Sequence, residues 1–199
     1  MAIESFNPAT EEKIRSYRAL TKSEIAEKLQ KSRGAFEEWR LLGVDQRASF
    51  MKKAADRLLS DKDRYAALMA LEMGKPFSQG KKEAEKCASV CEYYAKNAES
   101  FLKPETIQTE ASKSYVAFEP MGAVLAVMPW NFPFWQVFRA AAPALMAGNV
   151  MALKHAANVQ GCAEAIEKVF LEAGFPEGVF SNFTIESSQA GDLIESPLV

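Results

Sequence analysis

Apolar residues change their period once along this chain, near residue 103. From Thr21 to Leu102 they recur at helical spacing, with Ile25, Leu29 and Phe36 first, then Phe50, Ala54, Leu58 and Leu59. Thr21-Lys-Ser-Glu24 reads as a capping box opening the first helix, and Gly43 follows its end. Asp45 is placed to cap the second helix, and Ser60 with Asp63 to start a third. The third stops at Gly74, with Pro76 just beyond, because glycine accepts the left-handed conformation and proline cannot continue a helix. A fourth runs from about Ser78 to Leu102, and its Lys81, Lys82, Glu83, Glu85 and Lys86 read as a solvated face.

Beyond Pro104 the helical period disappears. The segment TIQTEASKSYVAFEP alternates apolar and polar residues around Ser114–Phe118, which predicts an exposed strand or hairpin arm. Such an arm is marginal alone, so pairing with another part of the fold or another subunit is expected. Strands and helices then take turns. GAVLAVM from Gly122 is a buried strand, Phe134 to Ala147 a helix, and Val150 to Leu153 a strand. Val159 to Glu172 is a helix closed by Gly174 and Pro176; Val179 to Ile185 is a strand and Ser188 to Glu195 a short helix. Strand–helix alternation at roughly 25-residue spacing implies an α/β fold with crossovers and a parallel, doubly wound sheet. Pro197-Leu198-Val199 reads as the approach to a further strand, so the chain is expected to stop inside that domain.

Composition narrows the chemistry. Of 199 residues, 48% are apolar and 25% charged, the balance of a globular protein with a real core. A net charge of −2 gives no footprint for nucleic acid or an anionic membrane surface. One histidine and three unpaired cysteines (Cys87, Cys91, Cys162) argue against a zinc site, and a metal is not expected. No signal peptide or membrane-length apolar run is read, so a cytoplasmic setting is the expectation.

Candidate chemistry gathers at two strand ends, Met128-Pro129-Trp130-Asn131 and Lys154-His155-Ala156-Ala157, where ligands of open α/β sheets bind. A nucleotide suits this geometry, yet the chain has no G-x-G-x-x-G, and architecture alone leaves the point open. The residues themselves go further. PWNFPFWQVFRAAAPALMAGNVMALKH, followed by GFPEGVF and preceded by FNPAT and LEMGKP, resembles the aldehyde dehydrogenase superfamily across almost the whole chain. KHAANV and Arg139 resemble its succinate-semialdehyde dehydrogenase branch.

That resemblance implies a variant Rossmann-like sheet that holds NAD or NADP without the glycine loop. It implies three parts in this chain: residues 1–103 as the helical portion of the cofactor domain, 104–120 as a bridging oligomerisation arm, and 121–199 as the Rossmann-like portion. A homo-oligomer, dimer or tetramer, is expected. The implied reaction oxidises an aldehyde, succinate semialdehyde by this branch, through a cysteine thiohemiacetal. The family's nucleophile and general base match nothing here, so the chain alone is expected to be inactive and could serve only as a cofactor-binding and oligomerisation module.

By the same resemblance, Asn131 donates its amide to the oxyanion, a contact that can contribute about 3 kcal/mol; a helix N-cap is its plainer role. Lys154 corresponds to a lysine binding the adenosine ribose, against a simple surface lysine. Ala157 stands where NAD-preferring members carry glutamate, so NADP is permitted. His155 reaches the adenosine or 2'-phosphate, or is merely packed. Met128, Pro129, Trp130 and Ala156 line the cofactor groove. Phe132 and Trp135 wall the substrate tunnel, or belong to the core. Arg139, eight residues after Asn131, meets the distal carboxylate with a planar bidentate fork, or makes a structural ion pair.

Overall fold

A computed structural model describes residues 3–199. It opens with an antiparallel hairpin, β1 (Ile3–Phe6) and β2 (Lys13–Tyr17). The Asn7 side chain accepts the Ala9 N–H at 2.9 Å inside the turn, and Glu11 takes a positive φ of 60°. This hairpin was not anticipated from the sequence. Four of the five β2 residues are exposed, so the strand carries no apolar alternation to read.

Four helices follow: α1 (Lys22–Trp39), α2 (Val44–Ser60), α3 (Lys62–Met73) and α4 (Phe77–Phe101). The Thr21–Glu24 capping box forms as read, with Glu24 also gripped by Arg18. At α2 the expectation is corrected. Gly43 is the N-cap, its N–H donates to the Gln46 side chain at 3.0 Å, and Asp45 lies inside the first turn. Gly74 ends α3 at φ 71°, as its position before Lys75-Pro76 requires. The α4 surface is corrected too: Glu83 is buried, while Lys82 and Lys86 are exposed.

A two-residue pairing, β3 (Glu105–Thr106) with β4 (Tyr115–Val116), makes the arm. It carries Ile107, Tyr115, Val116 and Phe118 into solvent. The sheet then forms from β5 (Ala123–Met128), β6 (Val150–His155) and β7 (Phe180–Asn182), all parallel in the order β5-β6-β7. α5 (Trp135–Met146) and α6 (Gln160–Glu172) make the crossovers, and α7 (Ala190–Ile194) closes the described chain. Some boundaries shift from expectation: the last helix, read from Ser188 to Glu195, spans Ala190–Ile194 after a 3-10 turn at Ser187–Gln189. β6 runs on to His155, so Lys154 and His155 are strand residues, and β7 is only three residues long.

One large core joins α2, α4, α5 and α6 to one face of the sheet through Phe134, Phe138, Met151, Leu153 and Phe170. A smaller one, with Ile25, Leu29, Ala152, Phe183, Ile185 and Leu193, seals the other face with α1 and α7. β5, read from sequence as a buried strand, is corrected to an edge strand in which only Ala126 is buried, and its Val124 and Val127 are exposed.

Candidate functional site

The register Met128↔His155 aligns the carboxyl ends of β5 and β6, so the two candidate segments are neighbours. His155 joins them. Its Nε2 lies 2.9 Å from the Pro133 carbonyl, and its Nδ1 accepts the Ala156 N–H at 2.9 Å. Since a carbonyl only accepts, this pattern assigns the neutral tautomer with hydrogen on Nε2. Burial pushes the ring's pKa below its ordinary value, in line with a neutral ring. Both nitrogens are thus engaged within the protein, so His155 acts here as a staple and offers no free nitrogen to a ligand.

Asn131 stands at the rim of this edge. It is exposed, its side-chain amide has no hydrogen-bond partner among the described residues, and its backbone carbonyl accepts Lys75 Nζ at 3.0 Å. It does not cap α5. That role belongs to Glu83, whose Oε1 accepts the Phe134 and Trp135 N–H groups at 2.9 and 3.0 Å. A carboxylate suits a helix start, where unpaired amides and the positive end of the dipole coincide. Lys75 pairs with Glu83, and both side chains are almost wholly buried. The Lys75 ammonium also lies 3.9 Å from the Phe132 ring centre.

The far end of α5 is held as firmly. Trp39 Nε1 donates to the Leu145 carbonyl at 3.0 Å, and buried Arg47 donates through Nε to the Met146 carbonyl at 3.0 Å. Carboxylate at the amino end and guanidinium at the carboxyl end both complement the helix dipole. Pro143 lies within α5 and has no N–H to give the Arg139 carbonyl four residues earlier. Arg139 itself is exposed, and no acidic partner meets it among the described residues. The ion pair considered from sequence is therefore not formed among the described residues.

Phe132 and Trp135 border a small cavity of about 210 Å³, shared with Gln79, Lys82, Glu83 and Lys86. Lys86 Nζ rests 3.9 Å over the Trp135 ring. Trp130 is half exposed beside them. On the other side of the edge, Lys154 is only 9% exposed and has no carboxylate partner among the described residues, while Ala157 is open to solvent. Met128 is partly buried against the main core, and Ala156 flanks it.

A second carboxylate repeats the device at α6. Glu72 accepts the Gly161 and Cys162 N–H groups at 2.8 Å each and the Tyr17 hydroxyl at 3.2 Å. Gly161 is required for this approach, since a Cβ there would stand 2.7 Å from Glu72 Oε1. Burial raises the Tyr17 pKa to about 12, so the phenol stays a donor. The three cysteines are free and buried, with thiol pKa values pushed up chiefly by burial. None has thiolate character. Among the described residues no cluster of His, Cys, Asp and Glu could hold a metal, and no helix is long and apolar enough to cross a membrane.

Sequence reasoning missed Lys75, Glu83, Glu72 and Arg47. A signal for Glu83 existed. It continues the stripe Gly80, Ala84, Cys87, Ala88, Cys91, which is the buried face of α4.

Comparison with known proteins adds an independent line. The profile of the Aldehyde dehydrogenase family matches residues 1–198. A probable NADP(+) succinate-semialdehyde dehydrogenase of Synechocystis sp. is 50% identical over 194 residues, covering 98% of this chain and 43% of that protein. An NADP(+) succinate-semialdehyde dehydrogenase of Mycobacterium bovis is 42% identical over 202 residues, covering the whole chain and 44% of that protein. Among solved structures, the succinic semialdehyde dehydrogenase of Streptococcus pyogenes in complex with NADP+ matches at TM-score 0.95 and 32% identity. That match covers all of this chain and 44% of the other, so the fold is shared over that portion. The chain spans less than half the length of these relatives.

Proposed function

Since this chain belongs to the aldehyde dehydrogenase family, we propose that it contributes the cofactor-binding and oxyanion-stabilising part of an NAD(P)-dependent enzyme that oxidises succinate semialdehyde to succinate. The observation that carries this reading is the start of α5. Among the described residues the Asn131 amide, in the turn just before α5, and Arg139, on α5, have no partner, and both ends of that helix are fixed by buried side chains.

Asn131 donates its amide to the oxygen that gains charge when a thiolate attacks the aldehyde carbon. A fixed donor does this without reorganising during the reaction. The attacking thiolate is not Cys87, Cys91 or Cys162, because burial holds all three as thiols. Arg139 meets the distal carboxylate with a planar fork, and Phe132 and Trp135 supply the apolar wall between the two polar ends.

The cofactor, when bound, supplies the hydride acceptor. The residues at the β6 end fit its adenosine portion. Lys154 has a buried stem and no acidic partner among the described residues, so its ammonium can donate to ribose hydroxyls. Ala157 is small and exposed, which leaves room for a 2'-phosphate and supports use of NADP as well as NAD. Relatives named for NADP(+) point the same way, while the family also includes an NAD-dependent member from Sinorhizobium meliloti at 28% identity and TM-score 0.94. Met128, Pro129, Trp130 and Ala156 form the groove beside them. The arm at 104–120, with its exposed Tyr115, Val116 and Phe118, pairs with another subunit.

The test is Arg139→Ala in the intact gene product. KM for succinate semialdehyde should rise by about 10- to 100-fold, the worth of one charged hydrogen bond, while hexanal kinetics stay near wild type. An equal loss with hexanal would remove Arg139 from substrate recognition. The 199-residue chain by itself should form no NAD(P)H; turnover by it would contradict the assignment of the nucleophile.

A further inference from the structure

We propose that Lys75, seated on Glu83, is a positioning residue that sets where the Asn131 amide points; this rests on the oxyanion role proposed for Asn131. Lys75 follows the left-handed Gly74 that ends α3, and that turn sends its side chain beneath residues 131–132. It is 6% exposed. Taking an ammonium out of water is costly, and only good pairing recovers that cost. Glu83 provides the pairing, but Glu83 needs no lysine to cap α5, since its acceptor atom already takes two backbone N–H groups.

What Lys75 adds is its reach onto two exposed residues of the site. Its Nζ donates to the Asn131 carbonyl at 3.0 Å and covers the Phe132 ring at 3.9 Å. The backbone from Asn131 to Trp135 is thereby held from three separate elements. Lys75 fixes the Asn131 carbonyl, His155 fixes the Pro133 carbonyl, and Glu83 fixes the N–H groups of Phe134 and Trp135. Phe132, preceding a proline, has a restricted backbone as well. Only the Lys75 contact lies on the residue whose amide does the chemistry. With that carbonyl drawn inward, the side chain is presented outward, and the amide's position inherits the stiffness of a buried ion pair. A displacement of about 1 Å in such a group can cost roughly 100-fold in rate.

The experiment replaces the anchor without leaving a buried unpaired charge. Lys75→Met/Glu83→Gln keeps an oxygen acceptor for the two α5 amides and removes the donor to Asn131. In the intact gene product, kcat for succinate semialdehyde should fall by about 10- to 100-fold, with little change in the cofactor KM. The same pair placed in an Asn131→Ala background should cost almost nothing further, because the amide it orients is gone. Lys75→Gln/Glu83→Gln, neutral but still a donor, should recover part of kcat. It also carries the cycle if the methionine variant does not fold.

Unchanged kcat, or an equal loss with and without Asn131, would overturn the proposal. If the wild-type product oxidises no aldehyde, the proposed function fails, and the anchor is read by NMR instead. Between Lys75→Met/Glu83→Gln and Lys75→Gln/Glu83→Gln, which share the same α5 cap, the Asn131 carbonyl and Phe132 amide shifts should then differ while those of Phe134 and Trp135 coincide. Coincident 131–132 shifts would refute the anchor.

Discussion

α5 and α6 begin in the same way and to different ends. Each follows a parallel strand, and each has its first amides taken by a buried carboxylate from the helical hairpin α3–α4, Glu83 for one and Glu72 for the other. At α6 the carboxylate is completed by a neutral donor, the Tyr17 hydroxyl, which ties the β1–β2 hairpin to the helix. At α5 it is completed by a cation, Lys75, which continues to the backbone of Asn131. One cap closes the scaffold. The other reaches the backbone of an exposed residue, the one proposed above to hold the oxyanion.

The largest effect expected from this contrast is at α5. Glu83→Ala strands the Lys75 ammonium among buried groups as well as freeing two amides, so urea unfolding should show a loss of about 4 kcal/mol. Glu72→Ala strands no charge of opposite sign in its own cap; it should cost about 2–3 kcal/mol by the same measurement. A larger loss at Glu72 than at Glu83 would break the distinction between a neutral and an ionic cap. Gly161→Ala sharpens it, because the added methyl stands 2.7 Å from Glu72 Oε1 and must displace the carboxylate. A loss of about 1–3 kcal/mol is expected, with the α5 amides undisturbed in a hydrogen-exchange experiment.

The smallest effect is a pH dependence at the staple between the two strand ends. Burial lowers the folded pKa of His155, so the unfolded chain takes up the proton first as pH falls. The contribution of a neutral His155 is thus complete above the ordinary imidazole pKa and declines below it, until the folded ring also protonates. Between about pH 7.5 and 5.5, wild type should lose stability more steeply than His155→Gln, with a difference no greater than about 1.4 kcal/mol per pH unit. Parallel curves for the two proteins would remove His155 from the pH response.

Local signals were legible in the sequence and distant ones were not. The Thr21–Glu24 box, the Gly74 stop and the strand–helix alternation after residue 121 are written in neighbouring residues or in periodicity, and the fold follows them. Asn131 and Arg139 were singled out by motif, and both stand exposed and unpartnered among the described residues. Glu83 and Glu72 act across 51 and 89 residues of chain, and such pairings leave no period behind. Glu83 was hidden further by its charged neighbours, since a KKEAEK run looks solvated unless the cysteines one and two turns later are used to find the buried face. The β1–β2 hairpin escaped because its strands are short and β2 is mostly wet.

The Glu72 and Glu83 caps also decide how this chain meets multivalent anions in solution. A carboxylate attached through its own backbone acts as a bound counterion that dilution does not remove, and its effective molarity exceeds that of any buffer salt. The two helix starts are thereby saturated in advance. Sulfate and phosphate find no vacant peptide nest at either, and an anionic ligand would depend on side-chain cations instead. Side-chain cations near the surface are screened within about 8 Å at physiological ionic strength. The sheet thus exchanges an anion site at its helix starts for internal rigidity, and leaves its anion affinity open to adjustment by salt.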